Sequence, residues 1–225
     1  MNGRVEVRAF LGFLTVILCV CSVPVSAAIV SFDMSVIFGD DGGVPTNPSP
    51  WLNATFDDGE TPGTVTLTVT VLNLVGPEKV GGVYFNLDPV FDQDDLDAMA
   101  FSAPSKTGSG DSPWFNDPGI SKVIDGYKAD GDGYFDILID FHDDGPSKAF
   151  TAGDAVEYTI TLASLTANSF DFPSAVSGGQ GVYNAAAHLK GLGEFEESAW
   201  VTTPEPATIC LLGIGGLLLR RKRRV

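Results

Sequence analysis

The chain has 225 residues, of which 44% are hydrophobic and 10% aromatic, so a folded domain is expected and wholesale disorder is excluded. Between residues 28 and 203 there are six lysines, 27 acidic residues and no arginine, a formal charge of −21. A body this acidic repels phosphate backbones, which argues against nucleic-acid binding and leaves cations, amines or neutral sugars as partners.

The first 27 residues have the organisation of a secretory signal peptide. Arg4 and Arg8 precede an apolar stretch, 9–23, and small residues follow as far as Ala27 and Ala28. We predict cleavage by signal peptidase after Ala27, so that the mature domain begins at Ala28. The apolar stretch of about 15 residues is shorter than the roughly 20 needed to span a bilayer, which disfavours a permanent N-terminal anchor.

The three cysteines all lie in the apolar end segments, at Cys19, Cys21 and Cys210. The body between them therefore contains neither a disulfide framework nor a cysteine-based metal site. Because Cys19 and Cys21 follow Leu18 and Val20, and not small residues, a lipoprotein anchor is not predicted.

Residues 28–203 consist of β-rich runs separated by Gly, Pro, Asp and Asn, which predicts an all-β domain. The clearest run is Thr64–Leu74, where threonines alternate with apolar residues and predict one buried face. The predicted strands are Ile29–Phe38, Trp51–Phe56, Thr64–Leu74, Val80–Leu87, Ala98–Ser102, Tyr134–Phe141, Val156–Leu162, Ser169–Phe172, Val182–Leu189 and Glu196–Val201. A short helix is predicted at Gln93–Met99, and long loops at 39–50 and 103–119. This number and spacing of strands predicts a single antiparallel β-sandwich.

Three segments of the body, 63–69, 82–89 and 132–138, resemble strands of cohesin-like and carbohydrate-binding-module β-sandwiches. The resemblance implies a jelly-roll or cohesin-like architecture. It implies no activity for this chain.

A candidate metal site lies in the acidic turn at 130–136. The carboxylates of Asp130, Asp132 and Asp136 are spaced so that they could converge on a hard cation, and Ca²⁺ is the ion that tolerates an irregular oxygen-ligand loop. The helix that follows the loop of an EF-hand is replaced here by a predicted strand. The alternative is a Gly-Asp hairpin turn whose acids are solvated, and no other cofactor is predicted.

Aromatic residues suggest one further ligand contact. Trp51 and Trp200 lie in strand-like contexts and are expected in the core, whereas Trp114 lies in a polar loop, where it could stack on a sugar of a polysaccharide.

The body carries no recognisable catalytic motif. His142 and His188, its two histidines, are expected to be packed or surface residues. We therefore predict that the protein is not an enzyme. A glycoside hydrolase of the cell envelope remains a second alternative, because that chemistry needs only two suitably placed carboxylates.

The C-terminal tail, 204–225, has three parts in a fixed order. The triplet Pro204, Glu205 and Pro206 precedes an apolar run at 207–219, which would form a helix of roughly 20 Å, shorter than the bilayer core of about 30 Å. The basic residues that follow would stay on the cytoplasmic side. They are Arg220, Arg221, Lys222, Arg223 and Arg224.

This tail resembles the PEP-CTERM sorting signal. The resemblance implies transient insertion of a short transmembrane helix, recognition of Pro204, Glu205 and Pro206 by an exosortase, and removal of the tail near them. It predicts an exported protein of the cell envelope, cell surface or extracellular matrix with a structural or surface-interaction role. The first alternative is a carbohydrate- or calcium-binding adhesion module.

Overall fold

The computed structural model describes residues 27–39, 41–59, 61–108, 115–130, 132–142, 148–176, 181–194 and 196–204, and these residues contain twelve strands. The strands are β1 Ile29–Met34, β2 Val36–Phe38, β3 Leu52–Asp57, β4 Thr64–Val71, β5 Lys79–Phe85, β6 Ala100–Phe101, β7 Ser105–Thr107, β8 Gly119–Ala129, β9 Asp132–Asp140, β10 Ala155–Thr161, β11 Ala185–Leu192 and β12 Glu197–Thr202. The helix α1 spans Gln93–Ala98, and a 3₁₀ turn spans Ala167–Phe170.

These strands form two sheets in which every strand pairing is antiparallel. The first sheet has the order β1-β3-β4-β10-β6, with β7 also paired to β10. The second sheet has the order β2-β12-β11-β5-β9-β8. Residues of both sheets belong to one buried apolar cluster, so the predicted all-β antiparallel sandwich is confirmed.

Period-two alternation explains how the core is filled. In β4, Val65, Leu67 and Val69 are buried while the threonines between them face outward. The sheets meet through aromatic rings, since Phe56 of β3 lies edge-on to Phe85 of β5 with ring centroids 5.0 Å apart. Close contact of this kind is the main source of stability for a sandwich without disulfides.

The predicted helix is confirmed at α1. Its N-cap is Asp92, whose carboxylate accepts a hydrogen bond from the Asp95 N–H, while the Asp95 carboxylate accepts one from the Asp92 N–H. Leu96 is its buried residue and packs into the core between the sheets.

One predicted strand, Ser169–Phe172, is wrong. The chain there forms a 3₁₀ turn, because Thr166 and Ser169 satisfy each other's backbone N–H groups as a capping box. Phe170 is fully buried and stacks on Phe56 with centroids 4.0 Å apart. Phe170 therefore fits a strand pattern in the sequence, but in the structure it lies in a turn and fills part of the core.

Two strands were not predicted. β7 lies inside the segment expected to be a loop at 103–119, and β8 follows it. β8 is the edge of the second sheet, and its exposure alternates as far as the bulge, but its residue types do not follow that alternation. Lys122 lies on the half-buried face, where its ammonium group donates to the carbonyl oxygens of Leu96 and Met99, whereas Val123 is exposed. β8 is also interrupted by a bulge at Asp125, whose φ is +51°, and Gly126.

The first predicted strand is divided between the two sheets. Ser35 separates β1, which pairs with β3, from β2, which pairs with β12. The Ser35 N–H donates to the Thr202 carbonyl oxygen at 2.9 Å, so the break lies beside the end of the last strand.

Candidate functional site

The C-terminal junction lies inside the fold. Thr202 is 1% exposed and its hydroxyl donates to the Ala185 carbonyl oxygen at 2.7 Å. The last described residue, Pro204, comes only two positions later. Glu205, Pro206, the apolar run and the basic residues 220–224 lie outside the described residues. No helix of the described part of the chain has the length and hydrophobicity to cross a bilayer.

The N-terminal junction is also tied to the fold. The Ala28 N–H donates to Oδ1 of Asp58 at 2.8 Å, and the Asp58 N–H donates to the Ala28 carbonyl oxygen at 3.2 Å. Ala27 is exposed, whereas Ala28 is half-buried and packs against the core. The rest of the predicted signal peptide, 1–26, lies outside the described residues.

The structure does not bring Asp130, Asp132 and Asp136 together as a metal site. Among the described residues, no group of three or more His, Cys, Asp or Glu side chains could hold a metal ion. The Asp130 carboxylate lies over the backbone of Gly39, in the segment after β2. Asp132 is buried at the start of β9. The acidic spacing in sequence is therefore not reproduced as a ligand set in space.

Asp136 joins two segments of the fold, while Ca²⁺ binding at this turn stays a prediction. Its two carboxylate oxygens accept hydrogen bonds from the N–H groups of Leu87 at 2.9 Å and Asp125 at 2.8 Å. It thereby joins the segment after β5 to the bulge of β8. Burial raises the pKa of Asp136 and the Asp125 charge adds to this, while the two backbone hydrogen bonds lower it.

A cleft of about 590 Å³ opens beside this bulge, with Asp92, Asp125 and Asp136 among its lining residues. The Asp92 carboxylate is the N-cap of α1, and the Asp136 carboxylate holds two backbone N–H groups. Two of the three acids are thus engaged in stabilising the fold.

The outer face of the second sheet carries a second apolar cluster that the sequence analysis did not predict. Its buried members are Ala129, Phe135, Ala186 and Trp200, and its half-buried members are Phe38, Tyr84, Tyr127 and Tyr183. Trp200, expected in the main core, is on this face, with 8% of its surface exposed. The alternation along β12 indicates this placement of Trp200. Ala199 and Val201, on either side of it, belong to the main core, so Trp200 faces the opposite side of the sheet.

His188 covers the indole of Trp200. The two rings are stacked with centroids 4.5 Å apart and planes inclined by 15°. Burial lowers the pKa of His188 and the Lys190 charge adds to this effect, whereas Asp41 and Asp130 oppose it. The imidazole ring thus lies flat over the indole, in surroundings that favour its neutral form.

A second cleft, of about 400 Å³, lies next to this stack and is lined by His188, Lys190, Ser198 and Glu196 among others. The Ser198 hydroxyl donates to Asp41 at 2.9 Å, and His188 Nε2 lies 3.9 Å from the same carboxylate oxygen. Ser198 and His188 therefore face the same carboxylate oxygen. Charged and hydrogen-bonding groups around a flat ring suit recognition of a polar ligand.

Trp114, the residue predicted to contact a sugar, lies outside the described residues. Its neighbour Phe115 is buried and lies edge-on to Phe150, with centroids 4.9 Å apart. The Lys106 ammonium lies 5.0 Å from the Phe115 ring centroid and donates to the Phe115 carbonyl oxygen at 2.8 Å. His142 is exposed at the end of β9.

These features define a class of protein: an acidic antiparallel β-sandwich whose last strand leads directly into a tail with a sorting signal. Residues 202–224 match the PEP-CTERM protein-sorting motif, which confirms the predicted resemblance of the tail. No curated protein and no solved structure matches the chain. The motif implies export, sorting to the cell envelope or surface, and processing by an exosortase. The cohesin-like resemblance of the body stays a prediction.

Proposed function

We propose that the protein is a non-catalytic envelope or extracellular-matrix component, whose β-sandwich is released to the cell surface when the tail is removed near Pro206. The observation that carries the proposal is the position of the sorting motif. It begins at Thr202, the last residue of β12, so removal of the tail leaves all twelve described strands intact.

The short connection to the apolar run supports the same proposal. Residues 203–206 span at most about 14 Å when fully extended. While the apolar run is in the membrane, the sandwich must therefore lie against the membrane surface. Release by cleavage would free the sandwich for contact with other envelope components.

The test is mass spectrometry of the surface protein from its native host, with the variant Glu205→Ala and the control Glu197→Ala. Glu197 is an exposed acid that lies before the motif, at the start of β12. We expect the wild type and Glu197→Ala to lack the residues after about Pro206, and Glu205→Ala to retain them. Wild-type surface protein that still ends at Val225 would refute exosortase processing.

A second candidate function is binding of a neutral or amino-bearing polysaccharide on the outer face of the second sheet. The His188 ring, which is stacked on the buried Trp200, provides a flat surface beside a polar cleft. The acidic body disfavours anionic sugars. His188→Ala should abolish retention of the exported protein on an immobilised polysaccharide. The control is Thr66→Ala on the outer face of the first sheet. Equal retention of both variants would exclude this face.

A further inference from the structure

Asp58 is a buried acid near the N-terminal end of the described chain. It directly follows β3 and is 6% exposed. Its Oδ1 accepts from the Ala28 N–H at 2.8 Å, and its Oδ2 lies 3.4 Å from the Ala167 N–H. Among the described residues, no lysine forms an ion pair with it. An ionised carboxylate in such a place is costly unless a positive charge accompanies it.

The hydrogen-bond donor of Asp58 is the nitrogen of the peptide bond at which we predict signal cleavage. Hydrolysis breaks the bond between the Ala27 carbonyl carbon and the Ala28 nitrogen. Water supplies a hydroxyl to the carbonyl carbon and a proton to the nitrogen. The new carboxyl group leaves with the signal peptide, and the new amine takes up a further proton at neutral pH.

We propose that the α-ammonium group of Ala28, created by signal-peptide removal, is the counter-ion of Asp58 in the mature protein. This inference rests on the proposed export of the chain. The existing 2.8 Å contact becomes a charge-assisted hydrogen bond without any movement of the backbone. Removal of the signal peptide thus supplies a positive charge beside the buried Asp58 carboxylate.

The geometry also specifies the cleavage position. Cleavage one residue earlier would place the ammonium group on Ala27, which is exposed and one Cα step of about 3.8 Å further along the chain. Cleavage one residue later would remove Ala28 together with both of its backbone hydrogen bonds to Asp58. Only an N-terminus at Ala28 places a positive charge on the buried carboxylate.

Few other charges act on this pair within the described part of the chain. Asp57 is the neighbouring acid, and its carboxylate accepts from the Gly59 N–H at 2.9 Å. The turn at 163–170, which packs from the opposite side, has no charged side chain. The titration of the amine should therefore depend mainly on Asp58.

The direction of the pH effect follows from linkage. An α-amino group ordinarily titrates near pH 7.7–8.0, and pairing with Asp58 raises its pKa in the folded state. The resulting stability is fully present below about pH 7.7 and is lost as the pH rises through the raised value.

The experiment uses the processed protein purified from its host. N-terminal sequencing should show Ala28, and NMR titration of the α-amine should give a pKa at least one unit above its ordinary value, or about tenfold in proton affinity. The thermal midpoint of the wild type and of the control Asp57→Asn should fall between about pH 7 and 10, while that of Asp58→Asn should not. Should Asp58→Asn fail to fold, the wild-type titration alone still decides.

Two results would overturn the inference: a first residue other than Ala28, or an α-amine that titrates at its ordinary value in the folded protein. Mass spectrometry of the same processed protein determines its C-terminus independently. A protein that starts elsewhere but has lost its tail refutes only the Asp58 pairing. One that starts at Ala28 and keeps its tail refutes only exosortase processing.

Discussion

The stacked rings of Phe56 and Phe170 allow a quantitative test of how the 3₁₀ turn is fastened to the core. Both are fully buried, with centroids 4.0 Å apart and planes inclined by 13°. Truncating both to alanine would cost about 6–10 kcal/mol, comparable to the whole stability of a domain. Leucine is therefore the better substitution, at about 1–2 kcal/mol for each site.

If the rings stabilise each other by about 1 kcal/mol, the double variant Phe56→Leu/Phe170→Leu should cost less than the sum of the single variants by that amount. A coupling free energy of this size corresponds to a difference of about 2–4 °C in midpoint temperature, and it is also measurable by urea unfolding. The control pair is Phe56 with Phe141, whose stacking partner is Phe150. Its effects should add within about 0.5 kcal/mol. Additivity in both pairs would show that the stack contributes nothing beyond burial.

Three further predictions concern the sites. Thr202→Val should lower the free energy of unfolding by about 1–2 kcal/mol in urea denaturation, because a buried carbonyl loses its donor. Asp136→Ala should cost about 1–3 kcal/mol both with EDTA and with excess Ca²⁺, since two backbone N–H groups lose their acceptor. A cost seen only with Ca²⁺ would instead support the predicted metal site. His188 should titrate below its usual range by NMR and lower still in Asp41→Asn, and its contribution to stability should decline as the pH falls below about 6.5. An unshifted His188 would contradict its burial.

Local sequence patterns were sufficient to predict the elements that depend mainly on residues close together in the chain. The alternation of Thr and Val in β4 specifies which face is buried, and the acids at 92 and 95 specify the start of α1. β8 was not predicted because Lys122 occupies its half-buried face, where backbone carbonyls accept from it, and the apolar Val123 occupies the exposed face. Phe170 was misassigned because an apolar residue in a turn and one in a strand have the same local sequence signal.

The candidate sites depend on contacts that are distant in sequence. Trp200 meets His188 only because β11 and β12 are neighbours with a particular register, which opposes these two residues. Asp136 accepts from donors 49 and 11 residues away, and the spacing within its own loop cannot indicate these contacts. The tail could be recognised from the sequence alone, because the motif is linear: it is defined by the order of its short apolar run and its charges along the chain, and not by contacts between distant residues.

The pairing of β2 with β12 has a consequence for the order of events during secretion. These are the second and the last strands of the described chain, and β12 is inserted between β2 and β11. When the chain is exported from its N-terminus, β2 cannot pair with β12 until residues 197–202 have emerged. The second sheet therefore cannot be completed before the segment next to the sorting motif has been exported, so the last strand to form and the sorting motif are neighbours in the chain.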